Sequence, residues 1–429
     1  MSEETPTQRG QAAEKPRPAP ITRLGYLAAI PLFFLLVWAL THAIRPQESV
    51  VAAANGLDGT PSFLPLIQFI PTPTPVPTAT PFPLPTILGE VPLTEALCPN
   101  YVGVNPVSGM AYIPNNGNNT LSIVQETNHL KTVAFGNWPG RVAVDPNGTR
   151  AFITYLRDSN FAIWAGDSFF ATFPTYGESF DVVYNPVNHY IYVSDLFSRI
   201  SIYDGDTNQL VETVNLASGW VLGLAVDTNT GLVYAANWEL GNVFIIDGTQ
   251  QVGMVPVGWG VLELAVNPNN GYVYGAHSAP SAQYPNNISI IKDGQLVKTY
   301  TTATRSMDVA VDPVTGYAYF ANEDNDTVTV VQGETFVATI PVGNRPWSVA
   351  VNPESGYVFV ANRDDNTISV IRGAVVVATL PGGAEPFAVA VDEAHDLTYV
   401  ANRASHIVCN PQDQCEEVCD PNASVTVIR

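Results

Sequence analysis

The chain has 429 residues, 46% of them hydrophobic, with 18 Lys and Arg against 39 Asp and Glu and a formal net charge of −21. By length alone it could hold two or three domains. A surface this acidic, with no basic patch, excludes nucleic acid and anionic lipid as natural partners and favours solubility.

In chain order, residues 1–23 form a polar tail carrying Lys15, Arg17 and Arg23. Leu24–Ile44 follows, twenty-one residues without Asp, Glu, Lys or Arg, long enough for one transmembrane helix. The basic residues before it put the N-terminus inside, so the tail is expected to be cytoplasmic. The length of the stretch favours a retained anchor over a cleaved signal peptide, although Ala52-Ala53-Ala54 would fit a cleavage site. Residues 45–85 read as an extracytoplasmic Pro/Thr-rich linker. Within it, Pro71–Pro85 is a polyproline-type spacer that would reach ~45 Å at ~3.1 Å per residue. Beyond residue 45 there are 13 Lys and Arg against 36 Asp and Glu, so the exported part carries the negative charge.

Residues 86–429 are built on one phrase that occurs eight times. Val104-Asn105-Pro106 returns as Val144-Asp145-Pro146, Tyr184-Asn185-Pro186, Val226-Asp227-Thr228, Val266-Asn267-Pro268, Val311-Asp312-Pro313, Val351-Asn352-Pro353 and Val391-Asp392-Glu393. The spacings are 40, 40, 42, 40, 45, 40 and 40 residues. A period near forty filled with short alternating strands means one supersecondary unit copied around a ring or along a stack. In the copy from Ser348 to Gly383, strands are expected at 348–352, 357–361, 367–371 and 375–380, joined by turns rich in Asn, Asp, Pro and Gly. Four strands in forty residues make one antiparallel blade.

The centre of the first strand is small in Gly103, Ala143, Ala225, Ala265, Ala310, Ala350 and Ala390, with Val183 the exception. Small side chains suit innermost strands converging on a channel, and ring closure protects sheet edges. The chain ends on a third strand, Ser424–Ile428, so the missing fourth is expected from Thr86–Leu93. The expected fold is therefore all-β: an eight-bladed β-propeller of four-stranded antiparallel blades, closed by an N-terminal strand in the last blade and preceded by one transmembrane helix.

Tyr357–Asn362 (Tyr-Val-Phe-Val-Ala-Asn), Tyr317–Asn322 (Tyr-Ala-Tyr-Phe-Ala-Asn) and Thr398–Asn402 (Thr-Tyr-Val-Ala-Asn) are each followed along the chain by a Val/Ile-Ser/Thr-Val strand. These segments resemble the repeats of YVTN-family β-propeller proteins, and the likeness covers roughly residues 101–429. The resemblance implies a propeller of the surface-layer or envelope type. Similar propellers occur in lactonases and haem d1 reductases, which makes a lactonase-like or other hydrolase the alternative.

Cys98, Cys409, Cys415 and Cys419 are the four cysteines. Three lie in a long insertion, Ala404–Asn422, between the second and third strands of the last blade. Cys98 lies between the supplied fourth strand and the first strand of blade 1. In a propeller these loops share a face and blades 1 and 8 are neighbours, so two disulfides are expected, one tying Cys98 to the insertion. Three pairings remain open. A metal site of His406, Cys409, Cys415 and Cys419 is the rival reading, but the spacing fits no tight zinc knuckle. Glu323–Asp326 and Arg363–Asn366 lack the EF-hand pattern and read as turns.

No nucleophile elbow, His-Glu-x-x-His, phosphate loop or haem-attachment motif is present, so no catalytic residue, metal or cofactor is expected. His277 occupies a second-strand end where other blades have Asn237, Asn322 or Asn362; a ligand or base at the channel mouth is one reading, and a variable turn residue is the preferred one. Five tryptophans fall in loops expected on one face: Trp138, Trp220, Trp259 and Trp347 between fourth and first strands, and Trp238 between second and third. Aromatic loops at a concave mouth can stack on sugars or anchor a protein, or they can plug the grooves between blades. The fourth strand runs towards that face, so the chain is expected to join the ring from the opposite side. Together these features predict a membrane-anchored extracytoplasmic module that binds an envelope protein or glycan.

Overall fold

The computed structural model describes residues 82–429 except 280–286, 303 and 410–414, and of residues 407, 409, 415 and 416 it describes only the backbone. The anchor at 24–44 and the linker as far as 81 lie outside the described residues. Among the described residues no helix is long and apolar enough to cross a membrane.

The repeated Asn or Asp explains why each copy folds alike. All eight, from Asn105 to Asp392, are buried at the end of the innermost strand or just after it. In the first seven, side-chain oxygens accept backbone N–H groups two to four residues on, as Asn352 does from Glu354 and Ser355 at 3.0 and 3.1 Å, while Asp392 meets the His395 ring at 2.8 Å. Asn105 and Asn185 also donate to Gly148 and Gly231 of the next blade, each at 2.7 Å. One buried side chain thus shapes the first turn and ties it to its neighbour.

The described residues form eight four-stranded antiparallel sheets and one two-stranded hairpin. Blade 7 shows the pattern: Pro346–Asn352, Tyr357–Asn362, Thr367–Arg372 and Val375–Pro381 in order outward from the axis. The innermost strand of each blade packs on that of the next, and blade 8 packs on blade 1, closing the ring. Close approach at the axis demands the small residues: a Cβ on Gly103 would fall 2.5 Å from Val142 of blade 2.

The seam is closed as expected. Blade 8 is ordered Pro386–Asp392, Leu397–Asn402, Ser424–Ile428 and then Ile87–Pro92 from the other end of the chain. Ile87 pairs with Ile428 and Pro92 with Ser424. Cys98 and Cys419 form a disulfide across 321 residues. The insertion is itself a hairpin, Ser405–Cys409 paired with Cys415–Cys419, whose register sets Cys409 opposite Cys415. The side chains of those two cysteines lie outside the described residues.

The aromatic and amide letters of the repeat also have distinct tasks. The second-strand Tyr hydroxyl reaches a turn of the following blade: Tyr112 donates to Gly166 at 2.7 Å, Tyr192 to Gly248 at 2.9 Å and Tyr319 to Gly373 at 3.0 Å. Tyr399 of blade 8 accepts from Glu126 of blade 1 at 2.9 Å, carrying the same clasp across the seam. In blades 1, 6, 7 and 8 the Asn that ends the second strand donates to two hydroxyls of the third. Asn362 reaches Thr367 at 3.0 Å and Ser369 at 2.9 Å.

Two sequence expectations are corrected here. His277 is no turn residue: it is fully buried as the last residue of Tyr272–His277. Its Nδ1 lies 3.1 Å from the Trp259 carbonyl and its Nε2 3.0 Å from the Ser289 hydroxyl. It performs the tether that Asn performs elsewhere. Trp347 lies inside the innermost strand Pro346–Asn352, because Pro346 already pairs with Asn362 ahead of a bulge.

Candidate functional site

Strand direction defines two faces. Ser424, Asn402 and Pro92 lie at one end of blade 8, Ile428, Thr398 and Ile87 at the other. The loops before first strands and those between second and third strands share the first face, and all five candidate tryptophans are there. Phe82 is on the opposite face, where its carbonyl accepts from Tyr357 at 2.9 Å.

The tryptophans do not form one ring. Trp220, Trp238 and Trp259 come together over blades 4 and 5, with centroids 5.9 Å apart for Trp220–Trp238 and 3.9 Å for Trp238–Trp259. Trp238 is buried and donates to the Ser278 carbonyl at 3.3 Å, while Trp220 and Trp259 are half-buried. Trp138 stands apart under the Arg157 guanidinium, 3.5 Å from its ring centre. Trp347 packs on Phe387 at 4.9 Å with Arg363 over it.

Around blades 6 to 8 the same face carries alternating charges. Arg345 bridges Glu323 at 2.6 Å and Asp364 at 3.3 Å, and Arg305 holds Asp324 at 2.8 Å. Arg363 meets Glu385 and reaches Glu417 of the hairpin at 3.1 Å, which Arg403 also grips at 2.7 Å. Burial alone would raise the Glu417 carboxyl, but Arg403 and then Arg363 hold it down to about 2. These carboxylates are committed to arginines, and Cys419 is bonded to Cys98. Among the described residues no group of three His, Cys, Asp or Glu is placed to hold a metal ion.

A second locus lies on the axis, and the sequence reading missed it. Two residues before the small position, the eight blades carry Tyr101, Arg141, Asp181, Gly223, Glu263, Asp308, Ser348 and Ala388. The polar members line a cavity of about 310 Å³. Arg141 of blade 2 pairs across the channel with Glu263 of blade 5, and its guanidinium lies 4.7 Å from the Tyr101 ring centre. The bulge in the innermost strands of blades 2 to 8 frees backbone N–H groups, and two carboxylates collect them. Asp181 accepts from Val182 and, across blades, from Leu224, both at 2.8 Å. Asp308 accepts from Val309 at 2.8 Å, Ser348 at 2.9 Å and Val349 at 3.0 Å.

Burial sets the electrostatics of this cavity. It raises Asp181 and Asp308 against the pull of Arg141 and the backbone amides. It pushes Glu263 up to about 8, with Arg141 opposing and Asp181 and Asp308 adding to the rise. Burial also works against the charge on Arg141, yet Glu263 keeps it protonated. A lone charged residue in an otherwise apolar strand was the available signal, visible only when all eight copies are aligned on the Asn/Asp position.

No family model matches the chain, and no curated protein matches it. Among solved structures, Kuenenia stuttgartiensis hydrazine synthase is similar, with a TM-score of 0.54 and 17% identity over 67% of this chain and 99% of that one. At that identity the likeness is one of fold.

Proposed function

We infer that the chain is a binding or scaffold propeller of the cell envelope, anchored through Leu24–Ile44 and recognising an envelope protein or glycan with its tryptophan face. The observation that carries this reading is the Trp220–Trp238–Trp259 cluster on the face opposite Phe82. Phe82, the first described residue, lies on the face opposite that cluster. The YVTN-like repeats support the envelope assignment. Surface plasmon resonance of the full-length protein against purified envelope glycans and proteins tests it. Trp220→Ala/Trp259→Ala should lose at least tenfold in affinity with an unchanged melting temperature, since aromatic anchors typically contribute ~2 kcal/mol or more. Equal binding by the folded variant would return both residues to blade packing.

A hydrolase with its site at the channel is the second reading, favoured by Glu263 alone: a carboxyl that keeps its proton near neutral pH can act as a general acid. Turnover of lactone substrates that Glu263→Gln abolishes would establish it.

A further inference from the structure

The axial cavity holds three carboxylates, from Asp181, Glu263 and Asp308, against the single guanidinium of Arg141. Full ionisation would leave two uncompensated negative charges in a space walled by Val and Ala, which the low dielectric of an interior penalises heavily. Protons or a bound cation must balance them. The bonds already made are unequal. Asp181 and Asp308 have both oxygens occupied by donors from the ring itself. Glu263, 7% exposed, has Oε1 on Arg141, and among the described residues no hydrogen bond reaches its Oε2. That oxygen lies by Gly223, where a Cβ would come within 3.0 Å of it, so the missing side chain in blade 4 keeps space open beside it. About 310 Å³ is the lower end of small-molecule pockets.

We propose that this cavity is a binding site for a small organic cation, a primary ammonium group that donates to Glu263 Oε2 with Asp181 and Asp308 as flanking charges. The ligand chemistry follows from the donor set. No trio of carboxylates is placed to coordinate a metal ion among the described residues, whereas an ammonium needs one strong acceptor and nearby negative charge. The site is independent of the tryptophan face, so either can fail without the other.

The groups facing Glu263 are Arg141, Asp181 and Asp308, with the Tyr101 phenol, held neutral by burial and pushed up to about 12, beside Arg141. With Glu263 pushed up to about 8, cation and proton compete for it, and binding should strengthen as pH rises from 6 to 9.

Isothermal titration calorimetry on the full-length protein would use ethylammonium and 1,4-diaminobutane, with tetramethylammonium as a cation lacking N–H donors. Saturable binding of the primary amines, at least tenfold weaker for tetramethylammonium and for Glu263→Gln, is the expected result. Because Glu263→Gln could act by disturbing the fold, Arg141→Met gives a test in the opposite direction: removing the internal competitor should tighten amine binding severalfold. Equal heats for all three cations, or wild-type affinity in Glu263→Gln and Arg141→Met, would overturn the proposal and leave the cavity balanced by protons.

Discussion

Removing the Cys98–Cys419 disulfide should be felt by the whole ring. The bond joins positions 321 residues apart, and the chain-entropy treatment of a loop that long gives about 6 kcal/mol at 25 °C. Residual structure in the unfolded chain lowers the effect, and loss of native disulfides costs about 2–5 kcal/mol in practice. Some 340 ordered residues unfold with an entropy of about 0.7 kcal/mol/K. Cys98→Ala/Cys419→Ala is therefore expected to melt about 3–7 °C below wild type. Alanine suits the test because Cys98 is fully buried and a serine hydroxyl there would lack a partner. Calorimetry would give the midpoints, and hydrogen exchange would locate the change. Ile87–Pro92 and Ser424–Ile428 should lose protection first, because the bond staples the blade they share. Identical midpoints, or earlier exchange in blades 3 to 5, would refute the view that the seam limits stability.

The buried His277 should make the protein acid-sensitive. Burial lowers its pKa to about 4, so the unfolded chain binds the proton better, and stability falls as pH drops from 6.5 towards 4. His277→Asn, the residue of the other blades, should be close to neutral at pH 7.5 and relatively more stable by ~2 kcal/mol at pH 5 in denaturant titrations. Glu263 has the opposite sign. Its folded pKa lies above the ordinary 4.5, so its contribution is full at low pH and is lost as pH rises through about 8; melting curves of Glu263→Gln should show a flatter decline between pH 5 and 8.5. Asn362→Ala strands the buried Ser369 hydroxyl and the half-buried Thr367 hydroxyl and should cost ~2 kcal/mol by urea unfolding. Tyr319→Phe loses only the clasp to Gly373 and should cost ~1 kcal/mol.

The ring, its eight blades and its closure were legible because they rest on residues that recur: the Asn or Asp of the first turn, the small residue at the axis, and turn chemistry at fixed offsets. The N-terminal strand was found by counting, since a third strand such as Ser424–Ile428 leaves one edge open. The axial cavity was not legible in the same way. Arg141 and Glu263 sit three blades apart and meet only after the ring closes, so no local pattern announces them. His277 misled for a related reason. Its type suggested an exposed turn or a ligand, while its register, shared with Asn362, required a buried donor or acceptor facing the third strand. The tryptophans were assigned to the right face, yet sequence spacing could not tell that Trp138 and Trp347 lie in separate surroundings from the trio.

The pairing of Ile87–Pro92 with Ser424–Ile428 also sets a timetable. At about 5–20 residues per second, translation leaves the first of these strands without its partner for roughly 17–70 s. During that interval blades 1 to 7 can each complete their own four strands, but blade 8 cannot. The nascent chain is then an open arc whose two ends both present unpaired backbone and apolar side chains. Folding must therefore close this arc before it joins a second copy, since the strand that completes one ring could equally complete its neighbour's.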